Sequence, residues 1–197
     1  MFRRLRLQFI TIASLAILFI LVSTVGIINT VRSFQTEQEI SKVLNTLTEN
    51  NGSFGKTKKI ETNQGHEIPS DSFRFFSVTL SGDKGGSQDT SHTSLIDDEE
   101  AVSYALAASR MTNTLGTIRE KNINLSYQVS KVSKNKILVV FLDTTSYYNS
   151  SQALLSLSIL LSLFGFIFFV VIVSALSGIV IRPFIRNYEK QRRFITN

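Results

Sequence analysis

The three side chains of a hydrolase triad occur close together in the sequence, as Asp89, Ser91 and His92. In such a triad the histidine takes the serine proton as a general base and the aspartate orients the imidazole, and the three residues normally come from separate segments of a chain. Neighbouring side chains of an extended segment point to opposite faces, so these three are too close in sequence to converge. We therefore predict no hydrolase site at this position.

The sequence also lacks the spacings of metal-binding and phosphate-binding motifs. His66 and His92 are the only histidines, and carboxylates such as Asp89 or Asp143 would have to complete any metal site. The absence of cysteine excludes disulfides, thiolate metal sites and thiol nucleophiles. The glycines of 82–86 lack the following helix and the Lys-Ser/Thr pair of a phosphate-binding loop. We predict no catalytic residue, no metal and no cofactor in this chain.

Two long uncharged stretches dominate the organisation of the chain. No charged residue occurs from Leu7 to Val31 or from Ala153 to Ile181, and each stretch exceeds the roughly 20 residues that cross a bilayer as a helix. The first is longer than the apolar region of a cleaved signal peptide and lacks a convincing small-x-small site. We predict an uncleaved span there, with cleavage as the alternative. The expected organisation is a basic N-terminus at 1–6, spans at 7–31 and 153–181, an external domain at 32–152 and a linker at 182–197.

The net charge of +6 is concentrated at the two ends of the chain. Arg3, Arg4 and Arg6 precede the first stretch, and the basic tail 182–197 follows the second. An excess of arginine and lysine marks the cytoplasmic side of a membrane. We therefore expect a multi-pass membrane protein with both termini in the cytoplasm, and no nucleic-acid partner.

The segment between the two stretches has patterns typical of an α+β domain. Phe34–Asn50 has apolar residues at helical spacing and follows the first stretch without Gly or Pro, so one long helix is expected to end near Gly52. The apolar run Ile137–Leu142 predicts a central strand, and we expect helices packed on a single antiparallel sheet. The remaining predicted elements are strands near Lys58–Thr62, Phe73–Leu80, Gln88–Thr93 and Ile123–Val129, and a helix at Asp97–Asn113 that starts with the capping-box-like pair Asp97 and Glu100 and has Val102, Ala105, Leu106 and Ser109 on one face.

A small-ligand pocket, where the domain has one, is expected between the sheet and the Asp97–Asn113 helix. Four polar residues are candidates for lining it, although ordinary surface or sheet-edge positions are the alternative for each. Binding of a partner protein is the alternative to a small ligand. The candidates are Arg74, Tyr104, Arg110 and Tyr127.

The basic tail has a helical pattern of its own. Ile181, Ile185, Tyr188 and Ile195 follow the spacing of a two-helix coiled coil, and Pro183 is tolerated if a helix kinks or restarts there. A solvated basic anchor on anionic lipid is the alternative. Upstream, a small-x-x-x-small motif permits close approach of helices. The residues predicted to couple the second span to the helix that follows it are Ser174, Gly178, Arg182, Pro183 and Tyr188.

The end of the tail, EKQRRFITN at Glu189–Asn197, resembles the run that leads into the dimerisation and phosphoacceptor helix of bacterial sensor histidine kinases. In that family F-I-T-[DN] is followed by A-S-H-E-L, so the resemblance implies a phosphoacceptor histidine at the third residue beyond Asn197. It further implies that this chain is the input part of a kinase whose catalytic domain uses ATP and Mg and passes the phosphoryl group to a response regulator. The residues between Ile181 and Gln191 leave no room for the relay module of many such receptors, so the second span is expected to act on the phosphoacceptor helices directly.

The segment Phe34–Asp143 resembles the extracytoplasmic PAS-like sensor domains of bacterial receptors. The resemblance rests on Asp89-Thr90-Ser91-His92 before an acidic helix start, and on Val140-Phe141-Leu142-Asp143 before the second span. It implies a homodimeric receptor in the bacterial cell membrane that senses an extracytoplasmic ligand or protein. The alternatives are a two-span cell-envelope protein and a receptor coupled to a different output domain.

Overall fold

The computed structural model of the chain describes residues 2–61, 65, 67–82, 84–94, 96–120 and 122–195, with no side chains described at residues 2, 3, 5, 84, 85 and 178–195. His66 therefore lies outside the described residues. The elements in chain order are α1 (Phe2–Glu49), β1 (Lys59–Glu61), β2 (Glu67–Pro69), a 3-10 turn (Ser70–Ser72), β3 (Phe75–Ser81), β4 (Lys84–Asp89), α2 (Asp98–Ser109), β5 (Leu115–Glu120), β6 (Ile123–Ser133), β7 (Lys136–Asp143) and α3 (Thr145–Ile195).

The chain divides into two compact units, a sheet unit at Arg32–Ser151 and a helical unit formed by the rest of α1 and α3. Among the described residues, Arg6–Glu49 and Thr145–Ser177 are long and apolar enough to cross a membrane. Their large apolar side chains are exposed: Phe19 by 74%, Leu161 by 71% and Phe168 by 68%. Apolar surface of this extent is unfavourable in water and suits an apolar environment.

The sheet unit is built on a five-stranded antiparallel sheet with the order β4-β3-β7-β6-β5. Strand β7 occupies the centre and pairs with β3 on one side and β6 on the other, as in Phe76 opposite Phe141 and Tyr127 opposite Phe141. Both faces of β7 are buried, so the prediction of a central strand at Ile137–Leu142 is confirmed. Strands β1 and β2 form a separate small hairpin.

Each face of the sheet has its own apolar core. The C-terminal part of α1 packs on one face of the sheet, and α2 packs on the other. Because side chains alternate along β7, this strand contributes to both cores. The α1-side core comprises Ile40, Val43, Leu44, Leu47, Phe54, Ile60, Phe73, Phe75, Leu138, Val140 and Leu142. The α2-side core comprises Phe76, Val78, Leu80, Ile96, Ala101, Ala105, Ala108, Leu125, Tyr127, Val139 and Phe141.

Helix α1 ends in a Schellman motif next to Gly52, where the sequence predicted the end of the helix. The N–H of Gly52 donates to the carbonyl of Leu47 at 2.7 Å, and the N–H of Asn51 donates to the carbonyl of Thr48 at 3.2 Å. Asn51 and Gly52 both have positive φ, of 57° and 88°. The continuous helix through Phe34–Asn50 that the sequence predicted is also confirmed.

Several sequence predictions in the sheet unit need correction. Helix α2 ends at Ser109 instead of Asn113, and β1 and β2 form a second sheet where a single sheet was expected. Strand β4 occupies Lys84–Asp89 instead of Gln88–Thr93, and β5 was not predicted because Gly116 interrupts its pattern and its side chains are mostly exposed. Helix α2 starts where predicted, but the Asp97 side chain makes no capping hydrogen bond. The predicted role of Asp97 in a capping box is therefore wrong. Of the predicted α2 face only Ala105 is fully buried; the buried residues of α2 are Ala101, Ala105 and Ala108, with Val102, Leu106 and Ser109 half-buried.

Candidate functional site

A polar cluster joins the sheet to the start of α3. Strand β7 ends at Asp143, α3 begins at Thr145, and Thr144 between them is fully buried. The Thr144 N–H donates to the carbonyl of Asn124 at 2.8 Å, and its hydroxyl donates to the same carbonyl at 3.0 Å. Its Oγ1 also lies 3.1 Å from the Ser126 hydroxyl. We name Asn124, Ser126, Asp143, Thr144 and Thr145 the α3 junction.

The α3 junction also satisfies backbone groups at the start of the helix. The N–H of Thr145, which has no partner within α3, donates to the Asp143 carboxylate at 2.9 Å. The Thr145 hydroxyl accepts a hydrogen bond from the N–H of Asn124 at 2.9 Å. Two successive threonines thus bind the beginning of α3 to the beginning of β6, and α3 cannot shift there without breaking several hydrogen bonds.

The first turn of α3 also contacts apolar and charged groups of the sheet unit. Tyr147 packs on the α1-side core. Burial raises the pKa of Tyr147, and the nearby charge of Glu39 on α1 raises it further. The Arg119 guanidinium lies 5.2 Å from the centre of the Tyr148 ring, a cation–π contact. The start of α3 is therefore held by α1, β5 and β6 together.

The variant Thr144→Val is expected to lower the unfolding free energy of the sheet unit by about 1–3 kcal/mol, because a buried hydroxyl with two partners is lost at nearly constant volume. Thermal unfolding followed by the near-ultraviolet tyrosine signal measures the change. Thr112→Val, at an exposed position, is the matched control and should leave the transition within about 0.5 kcal/mol of wild type. Equal effects of the two variants would contradict the role assigned to Thr144.

The structure brings together two of the four predicted ligand residues. The rings of Tyr104 and Tyr127 both contact Phe141, with centroid distances of 6.5 and 5.9 Å. Tyr127 is 2% exposed and belongs to the α2-side core, where its hydroxyl donates to Met111 Sδ at 2.9 Å. Arg74 and Arg110 are exposed. Of the four predicted ligand residues, only Tyr104 and Tyr127 are thus brought together, because both contact Phe141.

Tyr104 is expected to lose its proton at a higher pH than an ordinary tyrosine. Burial and a hydrogen bond to Glu120 raise its pKa to about 12. The folded state therefore keeps this proton at pH values where the unfolded chain loses it. The resulting stabilisation is complete below pH 10 and is lost as the pH rises towards 12. Absorbance titration of phenolate should show one fewer late-ionising group in Tyr104→Phe, and an unchanged late phase would contradict the assignment.

Asp89, Ser91 and His92 make local contacts that differ from those of a hydrolase triad. The Ser91 hydroxyl donates to the Asp89 carboxylate at 2.6 Å, so it has its hydrogen bond with the acid and not with the imidazole. This bond and the Ser91 N–H lower the pKa of Asp89. The His92 ring stacks on Phe75 with a centroid distance of 4.5 Å. A nucleophile activated by histidine is absent from this arrangement.

The start of α2 borders a groove of about 570 Å³ whose lining is acidic. Thr90 lies at its edge and donates to Asp98 at 2.7 Å. Within the described part of the chain, no group of three or more His, Cys, Asp or Glu residues is placed to hold a metal ion. The lining residues are Thr90, Ile96, Asp97, Asp98, Glu99 and Glu100.

Only one of the predicted coupling residues has described side-chain surroundings. Ser174 is half-buried, and its carbonyl accepts a hydrogen bond from Arg6 Nη2 at 2.8 Å within the helical unit. Helix α3 continues through Pro183 to Ile195, which confirms that a helix extends past the apolar stretch. The side chains of Gly178, Arg182, Pro183 and Tyr188 lie outside the described residues.

Comparison with known proteins yields no relative: no family model, no curated protein and no solved structure matches this chain. Sequence reasoning had found Tyr104 and Tyr127 but had not identified the α3 junction. The pair Thr144-Thr145 directly after the apolar strand could have indicated the junction, because polar side chains at a helix start accept hydrogen bonds from its free backbone N–H groups.

Proposed function

We propose that the chain is the input part of a bacterial sensor histidine kinase, a receptor that senses an extracytoplasmic signal with a PAS-like domain and transmits it through α3. One observation carries the proposed transmission through α3: α1, β7 and the first turn of α3 share a single core. Ile40 and Leu44 of α1 and Val140 of β7 belong to the α1-side core, and Tyr147 of α3 packs against it. The two helices that contain the apolar stretches therefore meet the same set of side chains.

The mechanism is a displacement of α1 relative to β7 that moves the start of α3. A ligand or partner protein that alters the packing of α1 on the sheet also alters the surroundings of Tyr147. The hydrogen bonds of the α3 junction pass the movement of β7 into the helix, because Thr144 connects the two without a flexible residue. Shifts of about 1–2 Å are the scale of known switches at helix interfaces.

The membrane topology in this proposal follows from charge and length. Two helices long and apolar enough to cross a bilayer flank the sheet unit, and the basic residues lie at both ends of the chain. The positive-inside rule places those ends in the cytoplasm and the sheet unit outside. The receptor is a homodimer through the spans and the C-terminal helix, and its output domain uses ATP and Mg to phosphorylate a histidine and then a response regulator.

Support for a PAS-like domain comes from the order of elements. The sheet unit has a helix, a hairpin, an acidic helix and a final hairpin, as α1, β3–β4, α2 and β6–β7, which is the order expected of such a domain. Support for the kinase comes from the tail at Glu189–Asn197. Determining the coding sequence beyond Asn197 tests it: A-S-H-E-L is the expected result. A different catalytic domain or a stop codon would contradict the kinase and favour another receptor or an envelope protein.

The variant Gly178→Ile tests close helix approach in the kinase that carries the output domain. A bulky side chain at the small-x-x-x-small motif is expected to change the signalling output several-fold while membrane insertion stays normal. Gly165→Ile is the matched control, since a Cβ at Gly165 meets no atom within 4 Å. Output equal to wild type in both variants would exclude helix contact at Gly178 from the mechanism.

A further inference from the structure

The thioether of Met111 occupies an unusual position in the sheet unit. The chain has no cysteine and two methionines, so Met111 carries its only sulfur atom besides that of Met1. The residue follows α2 and is 50% exposed. Its Sδ nevertheless accepts a hydrogen bond from the Tyr127 hydroxyl at 2.9 Å, while Tyr127 itself is 2% exposed. The sulfur of a half-exposed side chain is thus the acceptor for the hydroxyl of a buried tyrosine.

The contact depends on a glycine in the neighbouring strand. A Cβ at Gly116, the residue opposite Tyr127 in β5, would lie 2.6 Å from the Tyr127 oxygen. Glycine therefore leaves the space through which the phenol reaches Met111. The Tyr127 ring also contacts Phe141, with a centroid distance of 5.9 Å. Phe141 lies on β7, two residues before Asp143 of the α3 junction.

We propose that Met111 is an oxidation-sensitive modification site for peroxides or hypochlorous acid that reach the exposed face of the sheet unit. The sulfur lone pair takes one oxygen atom from the oxidant and loses two electrons. Hydrogen peroxide leaves as water, and hypochlorous acid leaves as chloride and a proton. The product is methionine sulfoxide, which is polar and reversible by methionine sulfoxide reductases.

Oxidation removes the acceptor of the Tyr127 hydroxyl. The sulfoxide needs room for an added oxygen where the hydroxyl already lies 2.9 Å from sulfur, and its polarity favours turning the side chain into water. The buried phenol then lacks its partner, which destabilises the core around Phe141. That this change reaches α3 rests on the proposed function, whereas the modification and its effect on stability do not.

The test uses the full chain in lipid nanodiscs, treated with hydrogen peroxide or hypochlorous acid. Mass spectrometry of the tryptic peptide Met111–Arg119 should show a gain of about 16 Da, the mass of one oxygen atom. The melting temperature of the oxidised protein should fall by about 5 °C and recover after treatment with a sulfoxide reductase. Met111→Leu should show no oxidant-dependent fall in melting temperature.

Tyr127→Phe separates the hydrogen bond from general damage. This variant keeps Met111 but lacks the hydroxyl, so its oxidation should lower the melting temperature by less than half of the wild-type shift. An equal shift in Tyr127→Phe, or an oxidised wild type with an unchanged melting temperature, would overturn the proposal. So would a Met111 that stays reduced at oxidant concentrations that convert Met1. In another outcome, oxidation lowers the melting temperature as expected and yet leaves the signalling output of the full kinase unchanged. That result would contradict the proposed coupling through α3 but not the modification of Met111.

Discussion

Replacing Phe141 by alanine is expected to unfold the sheet unit at temperatures where the wild-type unit is folded. Phe141 is fully buried in the central strand, and its ring stacks on Phe76 with a centroid distance of 4.6 Å and an angle of 8° between the planes. Removal of a buried phenylalanine side chain costs about 3–5 kcal/mol. Because the whole domain is stabilised by about 5–15 kcal/mol, we expect the melting temperature to fall by about 15 °C.

Phe168→Ala makes the same chemical change at an exposed position of α3. Phe168 is 68% exposed in the helical unit, so its removal should leave the unfolding transition of the sheet unit unchanged in nanodiscs. Circular dichroism in the near ultraviolet follows the tyrosines of the sheet unit in both variants. A similar loss of stability in Phe168→Ala, or none in Phe141→Ala, would contradict the division into two units with separate cores.

Gly52→Ala is expected to lower the unfolding free energy by about 3 kcal/mol. Gly52 has a φ of 88°, a conformation in which a Cβ is strained, and the added Cβ would lie 2.5 Å from the Cβ of Ser77. The end of α1 would have to move away from the sheet to relieve this overlap. Chemical denaturation of the full chain in nanodiscs measures the difference.

Gly65→Ala separates the two causes of this loss. Gly65 also has a positive φ, of 76°, but a Cβ there meets no atom within 4 Å. We expect Gly65→Ala to cost only the conformational penalty of about 1 kcal/mol. Adding Ser77→Gly to Gly52→Ala should restore part of the lost stability, since the overlapping side chain is gone. Equal losses at Gly52 and Gly65 would show that the helix end does not pack closely on Ser77.

Much of the fold was predictable because its strongest patterns are local. The long helix through Phe34–Asn50, the central strand at Ile137–Leu142 and the start of α2 follow from periodicity, apolar runs and acidic residues near a helix N-terminus. Strand β5 was missed because its residue types do not follow its burial: Leu115 is exposed and Gly116 takes a half-buried position at the sheet edge. Its position is fixed by pairing with β6, a long-range property that the residues of Leu115–Glu120 do not carry.

The candidate site was less predictable than the fold, for a similar reason. Tyr127 was expected to line a pocket because it is polar, yet the partner of its hydroxyl is Met111, which the sequence gives no reason to place nearby. The α3 junction joins Asn124 and Ser126 of β6 to Thr144 and Thr145, and strand register alone brings these residues together. Sequence spacing cannot specify such contacts before the pairing is known.

The central claim is that the sheet unit lies outside the cell and the C-terminal end of α3 lies inside. The natural absence of cysteine permits a direct measurement with Thr112→Cys and Gln191→Cys, each as the only thiol in the chain. A membrane-impermeant maleimide applied to intact cells is expected to label Thr112→Cys at once and Gln191→Cys only after the membrane is permeabilised. Labelling of Gln191→Cys in intact cells, or protection of Thr112→Cys, would contradict the account.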